Sequence, residues 1–188
     1  MTRGEQARLR PTGAGSTLNI HLGSFTPPPP FWDAPPAARW RCVHLGHARA
    51  LRLVNEGHLR QAGRAFSRAL RAAIAAGGAP PLPPEAAQVK AELHAGLAQV
   101  QIHLGLPAAA AGNADRALRL CPAHLEARYS RGVAQAAMRD LEAAMEDLGA
   151  VLRAQPGHPG ALRELRRVRG QARERDAQLG RRLGRLFA

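Results

Sequence analysis

With 188 residues the chain is long enough for one domain with a continuous core. Hydrophobic residues make up 45% of it and aromatics only 4%, and the apolar share is mostly Ala and Leu, which argues against a β-sandwich and for close-packed helices. The net charge of +13, carried almost wholly by Arg, points to acidic proteins, nucleic acid or anionic membrane as partners, or to arginine faces that are simply solvated; no run reaches the roughly 18 apolar residues of a membrane-spanning helix.

Residues 1–17 are polar, with Gly, Pro and Thr, and read as disordered. They contain no apolar core of a secretory signal, and the two cysteines, Cys42 and Cys121, form no CxxC. The expectation is a reduced chain in the cytoplasm, extending to the nucleus. Residues 18–26, LNIHLGSFT, alternate, with Leu18, Ile20 and Leu22 facing one way. That predicts a single strand, with nothing in the chain to pair with it. TPPPPFWDAPP, residues 26–36, is a stiff polyproline II spacer in preference to an SH3 or WW ligand. Residues 1–36 are therefore read as a leader.

Helices are expected from Ala37 onward. The first hairpin is predicted at 38–56 and 59–76, with Gly57 just past the helix end and Ala62, Phe66, Ala69 and Leu70 at core spacing. GGAPPLPPEAAQ, residues 77–88, breaks the period, because the turn glycines Gly57 and Gly105 lie well over one repeat apart. It reads as an insertion between hairpins. Ala91–Leu104 and Pro107–Leu120 form the second hairpin. The third occupies Leu125 to Gln155 and is closed by Pro156, which follows Pro122 by the length of one repeat. Ala98 with Ala110, and Gly132 with Ala144, are small where the helices cross. A period of about 34 residues, with small crossing residues and a Pro exit, is the tetratricopeptide pattern. The predicted fold is all-α, a superhelix of three hairpins over 37–156 (about 38–76, 89–122 and 123–156), then a basic helix over 157–188. In that last helix Leu162, Leu165, Val168, Ala172, Leu179, Leu183 and Leu186 mark one face, which caps the solenoid.

Little in the sequence carries chemistry. There is no nucleotide loop, zinc spacing or nucleophile elbow, so no catalytic residue, metal or cofactor is expected. His44 and His47 lie one turn apart without supporting Cys, Asp or Glu and read as ordinary histidines. Asp140, Glu142, Glu146 and Asp147 read as one solvated acidic face. The terminal helix carries Arg163, Arg166, Arg167, Arg169, Arg173, Arg175, Arg181, Arg182 and Arg185 around its apolar stripe. A basic amphipathic helix of this kind binds calmodulin, anionic membrane or nucleic acid. Glu164, Glu174 and Asp176 interrupt the charge and favour a solvated cap.

Three hairpins, an insertion after the first and a long terminal helix resemble the tetratricopeptide half of the FKBP-type immunophilins. HLEARYSRGVAQAAMRDLEAAMEDLGAVL (124–152), HAGLAQVQIHLGLP (94–107) and the ending DAQLGRRLGRLFA (176–188) resemble a divergent branch of that family with a degenerate isomerase domain. HLGSFT followed by Trp is similar to the last strand of that domain and its linker, so the resemblance covers residues 18–188. It implies a co-chaperone-like, non-enzymatic adaptor. An isomerase-like domain needs on the order of one hundred residues, and only the short leader precedes the linker here, so no isomerase activity is expected.

The resemblance also implies a carboxylate clamp for the C-terminal EEVD of heat-shock chaperones, in which Lys, Arg and Asn side chains hold a doubly anionic chain end. Aligned on the repeats, the clamp positions fall on His47, Leu51, Gly96, Glu126 and Ser130, and none matches. Leu51 and Gly96 offer no donor, and Glu126 repels the peptide. Arg49, Arg128 and Arg131 are neighbours of these positions, but adjacent residues on a helix point about 100° apart. The concave peptide-binding face is assigned to the first helix of each hairpin, at His47, Arg49, Leu51, Gly96, Gln99, His103, Glu126, Arg128, Ser130 and Arg131. The expected partner is a protein segment other than EEVD, or a heat-shock chaperone held outside the clamp.

Overall fold

The computed structural model describes residues 6–9, 17–21, 23, 30–77 and 82–185. The chain divides into two units, Met1–Ala34 and Pro35–Ala188.

In the first unit, β1 (Gln6–Leu9) pairs antiparallel with β2 (Leu18–His21). The register sets Gln6 opposite His21 and Arg8 opposite Asn19, and Arg8 Nε donates to Asn19 Oδ1 at 3.2 Å. This corrects two expectations. The strand at Leu18 has a partner, and that partner lies inside the stretch read as disordered. Ala7 and Leu9 are the only apolar residues of β1, too few to establish a period. Leu22 and the prolines at 27–29 lie outside the described residues.

The second unit is all-α, as expected. Its helices are α1 (Pro36–Asn55), α2 (Leu59–Ala76), α3 (Pro84–His103), α4 (Pro107–Leu120), α5 (Leu125–Ala137), α6 (Leu141–Ala154) and α7 (Pro159–Gly184). Each helix packs on the next, and α3 also touches α1 and α5, while α5 touches α7. The result is two layers, an inner row of α1, α3, α5 and α7 and an outer row of α2, α4 and α6. The end of the insertion, residues 84–88, is helical, since α3 begins at Pro84, seven residues before the expected start at Ala91, and buries Ala86.

Local chemistry sets these boundaries. Pro36, Pro84, Pro107 and Pro159 occupy first turns, where a missing N–H costs nothing. The side chains of His124, Asp140 and His158 accept the amide N–H of Ala127, Ala143 and Ala161 and cap α5, α6 and α7. The hairpin turns pass through positive φ at Gly57 (77°), Gly105 (71°) and Arg139 (69°). Two of these three equivalent positions carry the residue the conformation favours, and the third does not.

Close helix crossings depend on small residues. Ala50, Ala62, Ala98, Ala110 and Ala144 are fully buried. A Cβ on Gly132 would lie 3.0 Å from Leu148 Cγ. The cap of the solenoid is real but shorter than expected. Ala161, Leu165, Val168 and Ala172 close the core built by Leu141, Leu148 and Val151. Leu162, Leu179 and Leu183 are exposed, so the core face of α7 ends at Ala172. Leu186 lies outside the described residues.

Candidate functional site: the inner helix face

The inner row of helices carries a chain of polar contacts. The His47 ring of α1 sits 6.0 Å from the Phe66 ring, and its Nδ1 lies 4.0 Å from Glu92 Oε2 of α3. Burial pushes His47 below the ordinary histidine value, while Glu92 acts in the opposite direction. Gln99 Nε2 of α3 donates to Glu126 Oε2 of α5 at 3.1 Å. The other oxygen, Glu126 Oε1, lies 3.7 Å from Nε2 of His158 at the start of α7. Because His158 Nδ1 accepts the Ala161 N–H, its proton belongs on Nε2, facing Glu126. Tyr129 flanks the same imidazole, with ring centroids 4.8 Å apart.

Of the ten assigned residues, His47, Gln99 and Glu126 take part in this chain of contacts. Leu51 and His103 are exposed without polar partners among the described residues. Gly96 is covered by an aromatic ring, since a Cβ there would lie 2.6 Å from Phe66 Cε1 and Cζ. Ser130 is fully buried, and its Oγ has no hydrogen-bond partner among the described residues.

The three arginines leave the inner face. Arg49 borders a cavity with Gln61, Arg64 and Arg68 of the outer helix α2. Arg128 donates from NH2 to the Pro122 carbonyl at 2.9 Å, in the α4–α5 connection. Arg131 is bound to Asp115 of α4 and Asp147 of α6, both in the outer layer. Their assignment to the concave face is therefore corrected, and the cause is the rotation of about 100° per residue that turns each away from its neighbour. Asp147 is corrected with them. It is 4% exposed and paired, not part of a solvated acidic face.

Sequence reasoning missed Glu92, Tyr129 and His158. The signal was present in the period. Glu92 precedes Glu126 by one repeat, and His124 precedes His158 by one repeat, so each pair holds one position in successive repeats. The inner face thus presents carboxylates, an amide and imidazoles. That set can receive a cation or amide donors, and among the described residues the polar contacts named here include no ammonium or guanidinium group to grip a doubly anionic chain end.

No family model matches the chain. The chain is 38% identical over 189 residues to FK506-binding protein-like of Rattus norvegicus, a match that covers 100% of the chain and 53% of the relative. It therefore spans about half the length of the relatives it matches. Among solved structures, the C-terminal TPR-containing domain of an FK506-binding protein of Plasmodium falciparum superposes with a TM-score of 0.72 at 15% identity, covering 79% of this chain and 99% of that one. The first TPR of Spaghetti, solved with the HSP90 peptide SRMEEVD, superposes with a TM-score of 0.57 at 23% identity, covering 70% and 93%. At these identities the superpositions speak to the fold. The helical unit is a tetratricopeptide-repeat domain, and over its whole length the chain is similar to FK506-binding protein-like, as the resemblance to the FKBP-type immunophilins implies.

Proposed function

We propose that the chain is a non-enzymatic protein-interaction adaptor that holds a segment of a partner protein along the inner face of α1, α3, α5 and α7. The observation that carries this reading is Glu126. On the alignment that the family resemblance implies, it falls where an EEVD clamp needs a cation, and it is instead a carboxylate engaged by Gln99 and His158. Phe66 over Gly96 and the burial of Ser130 support the same conclusion, because both remove donor positions. The inner face therefore favours a neutral or cationic segment rich in amide donors. A heat-shock chaperone, the kind of partner that similar repeat domains carry in their solved complexes, is held outside the EEVD clamp in this reading.

Calorimetry with an EEVD-terminated peptide and with a basic peptide of equal length tests it. The expected result is no micromolar heat with EEVD and measurable binding of the basic peptide, weakened at least threefold by Glu126→Gln. Micromolar, salt-sensitive EEVD binding would overturn the reading.

A second reading rests on the distal part of α7, where Leu179 and Leu183 are exposed beside Arg181 and Arg182. It would engage calmodulin, nucleic acid or an anionic membrane. A salt titration against single-stranded DNA and anionic vesicles, with the variant Arg181→Glu/Arg182→Glu as control, tests that helix alone.

A further inference from the structure

The first hairpin carries a large charge with almost no acid to offset it. Residues 36–76 hold eight arginines and a single acid, Glu56. Four of them, Arg60, Arg64, Arg68 and Arg71, follow at helical spacing and share one side of α2. All four are exposed, and among the described residues none makes an ion pair. In α7, by contrast, Arg167 is held by Glu164, and Arg175 by Glu142 and Asp176.

This row borders an open groove of about 680 Å³ on the outer side of the solenoid. Among the described residues the backbones of the outer helices α2 and α4 stay apart, and α3 lies between them at the back of the groove. Leu97 and Val100 of α3, both buried, and the half-buried Leu104 just past its end form an apolar floor, and Leu106, half exposed before α4, closes one end. Gly63, with no side chain, leaves the floor open on the α2 side. From Arg60 to Arg71 the row runs about 17 Å at the helical rise, the length of roughly five extended residues.

We propose that this groove docks an acidic peptide segment of a partner protein, with carboxylates on the arginine row and a leucine-type side chain on the α3 floor. Four guanidinium groups along one side of a helix, without an acid among them, repel one another until an anion arrives. Their forked donors match carboxylates two by two. The lining favours a peptide over other polyanions. Among the described residues no aromatic side chain lines the groove to stack a base. The apolar floor belongs to α3, recessed behind the arginines, where a flat bilayer cannot reach it. The site lies on the outer layer, away from the inner face considered above, and goes beyond that reading. A partner bound here leaves the inner groove free.

The test is fluorescence anisotropy of a fluorescein-labelled ELEDLE peptide against the full chain at rising salt, with a labelled oligo(dT) and phosphatidylserine vesicles as competing probes. The expected result is saturable peptide binding that weakens as salt rises. Arg64→Glu/Arg68→Glu should weaken it at least tenfold and Leu106→Ser at least threefold. Arg181→Glu/Arg182→Glu and Glu126→Gln should leave it within twofold. Arg64→Gln/Arg68→Gln serves as a milder second pair, with helix content checked by circular dichroism. Peptide binding that survives both arginine pairs, or ignores Leu106→Ser, overturns the proposal. So does tighter binding of oligo(dT) or vesicles through the same arginines.

Discussion

Arg131 holds Asp147 with two hydrogen bonds, Nε to Oδ2 at 2.6 Å and NH2 to Oδ1 at 2.8 Å, and its NH1 reaches Asp115 Oδ1 at 2.8 Å. One side chain of α5 thereby ties together the two outer helices on either side of it. The fork of the guanidinium makes this possible, since a lysine offers no second parallel donor pair. The two carboxylates differ in consequence. The side chain of Asp147 is 5% exposed and that of Asp115 is 41% exposed. Arg131→Ala strands a buried carboxylate and is expected to cost about 2–4 kcal/mol, a fall in melting temperature of roughly 5–12 °C. Asp115→Ala removes a partly solvated partner and should cost less, about 0–1 kcal/mol. Thermal melts followed by circular dichroism check the ranking, and equal losses for the two variants would refute it.

Arg139 is the odd member of the three hairpin turns. Gly57 and Gly105 supply positive φ without a Cβ, whereas Arg139 adopts φ of 69° with one. The left-handed conformation costs a residue with a Cβ about 1–2 kcal/mol, offset in part by the greater chain entropy of glycine when unfolded. Arg139→Gly should therefore stabilise the protein by about 0.5–1 kcal/mol and raise its melting temperature by roughly 1–4 °C. The side chain is exposed and makes no hydrogen bond among the described residues, so its removal forfeits no contact. A lower melting temperature would show that the turn is relaxed by other means.

The order of the helices was legible because period, small crossings and helix-starting prolines agreed with one another. The charge was harder to read. A sequence places Arg128 and Arg131 beside the clamp positions, but only the rotation of α5 sends them to Pro122 and to Asp147. Asp147 looked like one of four surface acids until its burial against Arg131 was seen. The contacts His47–Glu92 and Glu126–His158 join residues from separate repeats, which no local pattern connects. The repeat period marks equivalent positions, yet which equivalents face a partner depends on how far each hairpin turns relative to the last. The strand β1 was missed for a different reason, because four residues with two apolar side chains carry almost no periodic signal.

Two histidines make stability depend on acid. His47 and His94 both lie below the ordinary histidine value, chiefly through desolvation, with Glu92 and Asn113 respectively opposing the shift. His44 also lies near His47, and Arg116 and Lys90 near His94, and each of these adds to the lowering. The folded form therefore resists a proton that the unfolded chain accepts. Below about pH 6.5 the unfolded state binds more protons, so stability should fall as pH drops from there toward the lowered folded values, and stay level above it. Urea unfolding between pH 5 and 8 measures this, and His47→Gln/His94→Gln should flatten the slope. A parent protein with constant stability across pH 5–6.5 would show that both rings are solvated enough to titrate normally.

Phe66 and Gly96 decide whether the inner face is open to conversion into a clamp. The ring occupies the volume that any side chain at residue 96 would need, with a Cβ placed 2.6 Å from Cε1 and Cζ. Phe66 is also 1% exposed and has the His47 ring 6.0 Å away. It has little room to yield. Gly96→Asn, the change that would restore an amide donor at that position, should therefore destabilise the protein by about 1–3 kcal/mol through overpacking, and should confer no EEVD binding. Adding Phe66→Leu opens room for the amide, so the double variant should recover part of the loss, a coupling that a double-mutant cycle reads directly. Additive losses would mean the ring and the new side chain never compete. The same cycle separates packing from charge. If the space is cleared and EEVD still fails to bind, Glu126, rather than the missing amide, is what rejects the doubly anionic end.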